Sequence, residues 1–235
     1  MPPGLFVQAL GERFLVVDAT GVTSPAPAAC LIFTAADADP QAVGVAVSAG
    51  EAAVREVLPT TGECRVKFST PVAMKTIAVA PNGTIATISA TPQFGSDVLY
   101  VFSASGTLQL SNALHGPGGG SSITSLRTAT AMDFGPDGFL YVTDRGTLLG
   151  PNNTVLVDRP RVWKVDPLTG IGFLQYFTFA ANRVDGLGDF DINAAGLARF
   201  VSGTRLNTYS VGDWTLQSSV RLDRDTGGGG AMVGR

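Results

Sequence analysis

Histidine and cysteine are almost missing from this 235-residue chain, which holds one of the first, His115, and two of the second, Cys30 and Cys64. The lone histidine lies in the glycine-rich run SNALHGPGGG. Neither a His-His zinc site nor a Ser-His-Asp triad can therefore be assembled. The cysteines are too far apart for a CxxC redox or zinc motif. Both fall in strand-like runs, ACLIF and CRVKF, so a disulfide and a pair of small buried hydrophobes are equal alternatives. An oxidising compartment favours the first. Charge is scarce too: Asp, Glu, Lys and Arg make up 15% of residues and the net charge is −3. The basic residues are scattered rather than gathered in a stripe, which argues against a nucleic-acid partner. No apolar run approaches the ~20 residues needed to span a bilayer. The opening MPPGLFVQALGERF lacks the basic start and long apolar centre of a signal peptide. Had a leader been removed, an extracellular or periplasmic address would be expected. GPGGGSS has no Lys-Ser or Lys-Thr ending and reads as a linker rather than a phosphate-binding loop.

What the chain has instead is glycine, 29 residues of it, with 45% hydrophobic content. That balance suits a turn-rich β protein with an ample core. In AMDFGPDGFLYVTDRG, RVWKVDPLTG and GFLQYFTF, apolar residues alternate along four strand-like runs between turn residues. Pro136-Asp137-Gly138 and Pro167-Leu168-Thr169-Gly170 are predicted to close hairpins, proline presetting the turn and glycine accepting positive φ. The same grammar appears upstream in KTIAVAPNGTIATIS, DVLYVFSASG and TLQLSNAL, and downstream in GLGDFDINAAGLARFVS, TRLNTYSVG and TLQSSVRL. Gly83, Gly138 and Gly196 anchor the three copies, 55 and 58 residues apart. The excess over the ~40 to 50 residues of a four-stranded blade falls in loops rich in Gly, Ser, Asn and Pro, notably 115 to 125 and 145 to 160. The expected fold is all-β and propeller-like, with about five four-stranded blades. Trp163, Trp214, Tyr141, Tyr176 and Tyr209 fall on strands and are expected to fill the widening gaps between blades.

The first 72 residues are less regular. LFVQALGERFLVVDATG matches a first hairpin with Gly11 in its turn. In VGVAVSAGEAAVREVL, Ser48 and Glu51 form a Ser-x-x-Glu capping box, and Ala53, Val54, Val57 and Leu58 follow at helical spacing before Pro59. A short helix is predicted there. Residues 1–72 thus read as degenerate blades or a small β-rich module, and residues 73–235 as propeller repeats. DTGGGGAMVGR at the end either closes the ring or begins a further blade.

At FGPDGFLYVTDRG and VDGLGDFDINAAGLARFVSG the sequence resembles the NHL and SMP-30/gluconolactonase propellers, over roughly residues 73 to 222. In the lactonase branch a divalent metal on the central axis, held by carboxylates and amides, polarises the substrate. The resemblance implies Asp185 as a metal ligand, with Asp144 and Asn82 as companions and Ca²⁺ or another divalent ion as the cofactor. Against that, Asp and Asn in tight turns usually accept hydrogen bonds from their own backbone. The N-terminal glutamate of the lactonases also has no counterpart, Glu12 lying in a predicted turn. The acidic set Asp185, Asp189 and Asp191 offers oxygen ligands for Ca²⁺, though calcium needs six or more. Asp189 and Asp191 share a strand face and suit a channel border. Asn82-Gly-Thr and Asn152-Asn-Thr satisfy the glycosylation sequon.

Three functions follow. A scaffold without catalysis or cofactor would bind a protein or glycan through loops 91 to 97, 115 to 125 and 145 to 160. A metal-dependent lactone or ester hydrolase would use Asp185 with Asp144 to hold the ion, and a bound water would attack. A structural subunit would assemble between chains, possible homo-oligomers included.

Overall fold

A computed structural model describes residues 6–10, 13–17, 23–25, 35–37, 44–58, 63–90, 97–114, 129–144, 147–149, 155–158, 161–176, 190–202 and 205–221. Every regular element among them is a strand. Sheet I is three-stranded: β1 (Phe6–Leu10), β2 (Arg13–Val17) and β3 (Thr23–Pro25). Four antiparallel four-stranded sheets follow. Sheet II holds β4 (Ala35–Asp37), β5 (Gly44–Ser48), β6 (Glu51–Val57) and β7 (Cys64–Ser69). Sheet III holds β8 (Met74–Val79), β9 (Ile85–Ser89), β10 (Val98–Phe102) and β11 (Leu108–Ala113). Sheet IV begins with β12 (Ala129–Phe134) and β13 (Leu140–Asp144). A separate two-stranded hairpin, β14 (Thr147–Leu149) and β15 (Val155–Asp158), interrupts it before β16 (Arg161–Val165) and β17 (Gly172–Tyr176). Sheet V holds β18 (Phe190–Ile192), β19 (Leu197–Ser202), β20 (Arg205–Ser210) and β21 (Leu216–Arg221).

Within sheet III, β9 and β10 are buried along their whole length, whereas β11, at the outer edge, has no buried residue. The first strands of successive sheets touch one another, β4 with β8, β8 with β12 and β12 with β18. This is the arrangement of a β-propeller, in which blades stand around an axis and pack face to face. Three cores fill the junctions. Val45, Val47, Val54, Met74, Ile77, Tyr100 and Phe102 join blades II and III. Aliphatic residues such as Ala78, Ile88, Leu99, Met132 and Val142, with Trp163, join III and IV. Tyr141, Phe200, Tyr209 and Trp214 join IV and V. Each fully buried large side chain contributes on the order of 1.5–3 kcal/mol.

The three anchor glycines occupy the same backbone state. Gly83, Gly138 and Gly196 have φ of 83°, 80° and 72°, and each closes its turn by donating from N–H to the carbonyl three residues earlier. Left-handed backbone is nearly free for glycine and costs other residues ~1–2 kcal/mol. Trp163, Tyr141 and Tyr209 are buried at the junctions from their strands, as expected; Trp214, expected on a strand, is buried there from the β20–β21 turn instead.

The predicted helix at 48–58 is not formed. Those residues make the β5–β6 turn and β6, and β6 is hydrogen-bonded on both sides, to β5 and β7. Ser48 Oγ accepts from Gly50 N–H at 3.2 Å, a tight-turn contact rather than a helix cap. Ten residues make a marginal helix in water. Pairing along both edges and burial of Val54 against blade III outweigh that weak local preference.

The cysteine alternatives are also resolved at one end. Cys64, on β7, is disulfide-bonded. The chain's only other cysteine, Cys30, lies outside the described residues.

Candidate functional site

Antiparallel order in a four-stranded blade places its two hairpins, first-to-second and third-to-fourth strand, at one end. The second-to-third connection and the link to the next blade lie at the other. The molecule therefore has a hairpin end, with residues 80–84, 135–139 and 166–170, and a loop end. Connections β9–β10, β11–β12 and β13–β16 all belong to the loop end. Of the predicted binding loops, 91 to 97 lies outside the described residues apart from Asp97, 115 to 125 lies wholly outside them, and 145 to 160 is described only at 147–149 and 155–158. The last of them carries the β14–β15 hairpin.

Asn82 is at the hairpin end. Its Oδ1 accepts from Thr84 N–H at 3.0 Å, closing the β8–β9 turn on itself. Beside it a cleft of about 590 Å³ opens between blades III and IV, lined by Ala80, Asn82, Thr84, Leu110, Phe134 and Leu168. Asp144 is at the loop end, the last residue of β13, fully buried, with Trp163 Nε1 donating to Oδ2 at 3.4 Å. β13 starts beside the hairpin end, and its length alone is roughly 13 Å at ~3.3 Å per residue. Asn82 and Asp144 therefore do not share a site. Asp185, Asp189, His115 and Glu12 lie outside the described residues.

The structure brings forward carboxylates of which the sequence singled out only Asp191. At the loop end Asp97, fully buried, accepts from Lys75 Nζ at 2.7 Å through Oδ1 and from Ala129 N–H at 2.8 Å through Oδ2. It ties blade III to the first strand of blade IV. Burial pushes its carboxyl up, the ammonium of Lys75 opposes that, and the nearby charge of Asp144 adds to the rise.

A second group lies on the innermost strands. Asp37, Asp133 and Asp191 each pair with the residue eight positions later, Val45, Tyr141 and Arg199, so they hold one register position in blades II, IV and V. Blade III has Ala78 there, opposite Ala86. Asp37 Oδ2 accepts from Val79 N–H at 2.6 Å, on blade III, and Asp133 Oδ2 from Ile192 N–H at 2.5 Å, on blade V. Asp133 Oδ1 also accepts from Phe134 N–H at 2.7 Å. Burial and the charges of Asp37 and Asp191 raise the Asp133 carboxyl to about 8. Asp191 is itself raised by burial, against the pull of Arg199 at 3.9 Å. The signal was present in the sequence for two of the three: Asp133 and Asp191 each stand five residues before an anchor glycine. Asp37 has no such anchor and is identified by strand register alone. Among the described residues no three His, Cys, Asp or Glu side chains are grouped so as to hold a metal ion. Among the described residues no helix is long and apolar enough to cross a membrane.

No protein-family signature matches the sequence, and no curated protein aligns with it. Solved structures do match the fold. A gluconolactonase from Xanthomonas campestris superposes with a TM-score of 0.61 at 18% identity, over 93% of this chain and 72% of that one. A streptogramin B lyase gives 0.56 at 13%, over 96% and 72%. A chain of a nidogen/laminin complex gives 0.55 at 12%, over 98% and 96%. The likeness is one of fold: gluconolactonase-like and protein-binding propellers alike share this blade arrangement.

Proposed function

We propose that this chain is a non-catalytic propeller scaffold that binds a protein or glycan partner at its loop end. The observation that carries the reading is the β14–β15 hairpin, inserted in blade IV between β13, whose last residue lies opposite the tight turns, and β16. Loops on a rigid sheet scaffold are the usual place for recognition residues. The β14–β15 insertion, TLLGPNNTVLV in sequence, gives blade IV an extra hairpin whose composition is apolar around a Gly-Pro-Asn-Asn turn sequence. A matching fold occurs in a nidogen/laminin complex, a protein-protein assembly. Blade II packs on blade III through Val45, Val47 and Met74, which supports taking residues 1–72 and 73–235 as one ring rather than two modules.

The two described ligand candidates support this reading over hydrolysis, since Asn82 closes its own turn and Asp144 is fully buried and accepts from the indole N–H of Trp163. Replacing 147–158 by a short Gly-Ser turn should abolish capture of a partner by immobilised protein or on a glycan array while leaving the unfolding midpoint near wild type. Equal capture by both proteins would move the binding face elsewhere. One stoichiometric divalent ion by elemental mass spectrometry, lost in Asp185→Ala together with lactone hydrolysis, would replace the scaffold reading by the hydrolase.

A further inference from the structure

We propose that the cleft between blades III and IV at the hairpin end is a binding site for an uncharged, flat aromatic molecule bearing a carbonyl or hydroxyl group. The site stands apart from the loop end and does not depend on the partner binding proposed there.

The neighbouring junctions show why the space is open. Phe68, the fifth residue of β7, packs its ring against Phe102, the fifth residue of β10, with 5.0 Å between centroids. It lies so close to the β10–β11 turn that a Cβ on Gly106 would come within 2.5 Å of it. An aromatic pair therefore fills the II/III junction where the outer strand of one blade meets the next. At the IV/V junction the β20–β21 turn supplies Trp214, in contact with Tyr141 and Phe200. Between III and IV the matching residues are Asn112, fifth in β11, and Val165, fifth in β16. Asn112 Nδ2 donates to Thr169 O at 2.8 Å, which ties the two blades together without an aromatic ring between them. The cleft of about 590 Å³ opens alongside, lined by Leu110, two residues from Asn112, and by Leu168 on the β16–β17 turn. Its volume falls within the ~300–1,000 Å³ of small-molecule sites.

The lining selects the ligand. Val101 and Phe134 are buried and apolar, and Pro81, Pro167 and Leu168 extend the apolar surface to the rim. A flat ring there would take the place that aromatic side chains hold at the other two junctions. Among the described residues, none that lines the cleft is ionisable. A charged ligand would lose water without gaining a counter-charge. The polar groups are neutral: Asn82, Thr84 and Gln109. Among the described residues the Thr84 hydroxyl and the Gln109 amide have no hydrogen-bond partner, and the Asn82 amide uses only its oxygen. These groups suit a carbonyl or hydroxyl on the ring. The flanking turns are closed by their own side chains, Asn82 Oδ1 accepting from Thr84 N–H at 3.0 Å and Asp166 Oδ1 from Leu168 N–H at 2.8 Å. Binding therefore needs little further ordering of the protein.

The test is calorimetric titration of the whole chain with two probes: prodan, an uncharged naphthyl ketone, and anilinonaphthalene sulfonate, an anion built on the same rings. The ketone should bind one to one with a Kd below ~1 mM, and more tightly than the anion. Leu168→Asp, at a position 84% exposed, sets a carboxylate at the rim and should weaken the ketone about five- to tenfold, because the ligand would desolvate the charge. Gln109→Ala, also at an exposed position, should weaken it about two- to tenfold through a lost hydrogen bond. Replacing 147–158 by a Gly-Ser turn should leave the ketone's affinity unchanged, and a loss there would place the probe at the loop end and overturn the proposal. So would absence of saturable binding, tighter binding of the anion, or unchanged affinity in Leu168→Asp. If that variant does not fold, methyl NMR of the unaltered chain decides: shifts induced by the ketone at Val101, Leu110 and Leu168 support the site, and shifts confined to other methyls refute it.

Discussion

The junction between blades III and IV and the junction between IV and V use the same hydrogen bond in different electrostatic settings. At the first, Asp97 accepts from the backbone of blade IV while Lys75 supplies a counter-charge. At the second, Asp133 accepts from the backbone of blade V with two further carboxylates for company. The packing differs as well. Small and branched aliphatics fill III/IV, whereas four aromatic residues dominate IV/V, with Phe200 edge-on to Tyr209 and Tyr141 tilted against Trp214. One blade plan thus tolerates two chemistries at its seams, because the interblade hydrogen bond needs only an acceptor of the right reach.

Equivalent turns show the same contrast. Gly170 closes the β16–β17 hairpin with φ 74° and lies against Asn112 of blade III. Trp214 takes the corresponding place in the β20–β21 hairpin with φ 55°, each donating its N–H to the carbonyl four residues back. A tryptophan there bears the ~1–2 kcal/mol cost of left-handed backbone. Its ring contacts with Tyr141 and Phe200 offset that cost.

The sharpest way to separate the junctions is to truncate one large side chain in each. Phe200→Ala should cost about 3–5 kcal/mol and Leu99→Ala about 2–5 in chemical denaturation. A loss below about 1 kcal/mol at Phe200 would mean that blade V packs independently of blade IV. Next in size is the ion pair. Asp97→Ala strands Lys75 and the N–H of Ala129 and should cost about 3 kcal/mol, with Asp97→Asn milder because it keeps the backbone acceptor. Equal losses for the two variants would show that the ion pair and the backbone link are not separate contributions. The smallest effect is expected at the turns: Gly170→Ala should cost about 1–2 kcal/mol, since its φ is left-handed and the new Cβ would lie 3.2 Å from that of Asn112. A neutral result would show that the hairpin relaxes freely.

How far the sequence led depends on the range of the interaction involved. The turns at Gly83, Gly138 and Gly196 were legible because a left-handed residue within a few positions is a local requirement, and alternation around them marked the strands. Residues 51–57 misled because a capping box and helical spacing are local too, while the two neighbouring strands that override them come from elsewhere in the chain. The candidate ligands show the same limit. Asn82 was read alternatively as a self-closing turn residue, and it is one. Asp144 was read alternatively as a turn residue or a ligand, and the partner that the fold gives it, the indole N–H of Trp163 on the neighbouring strand, is 19 residues away in sequence.

By itself the sequence determined an all-β chain of repeated four-stranded units, since periodicity and turn chemistry act over a few residues. Tertiary structure alone decided which carboxylates meet. Asp37, Asp133 and Asp191 lie up to 154 residues apart in sequence, and only the stacking of blades around one axis places Asp133 where it feels the charges of the other two. Coulomb interactions depend on distance through the folded protein rather than along the chain.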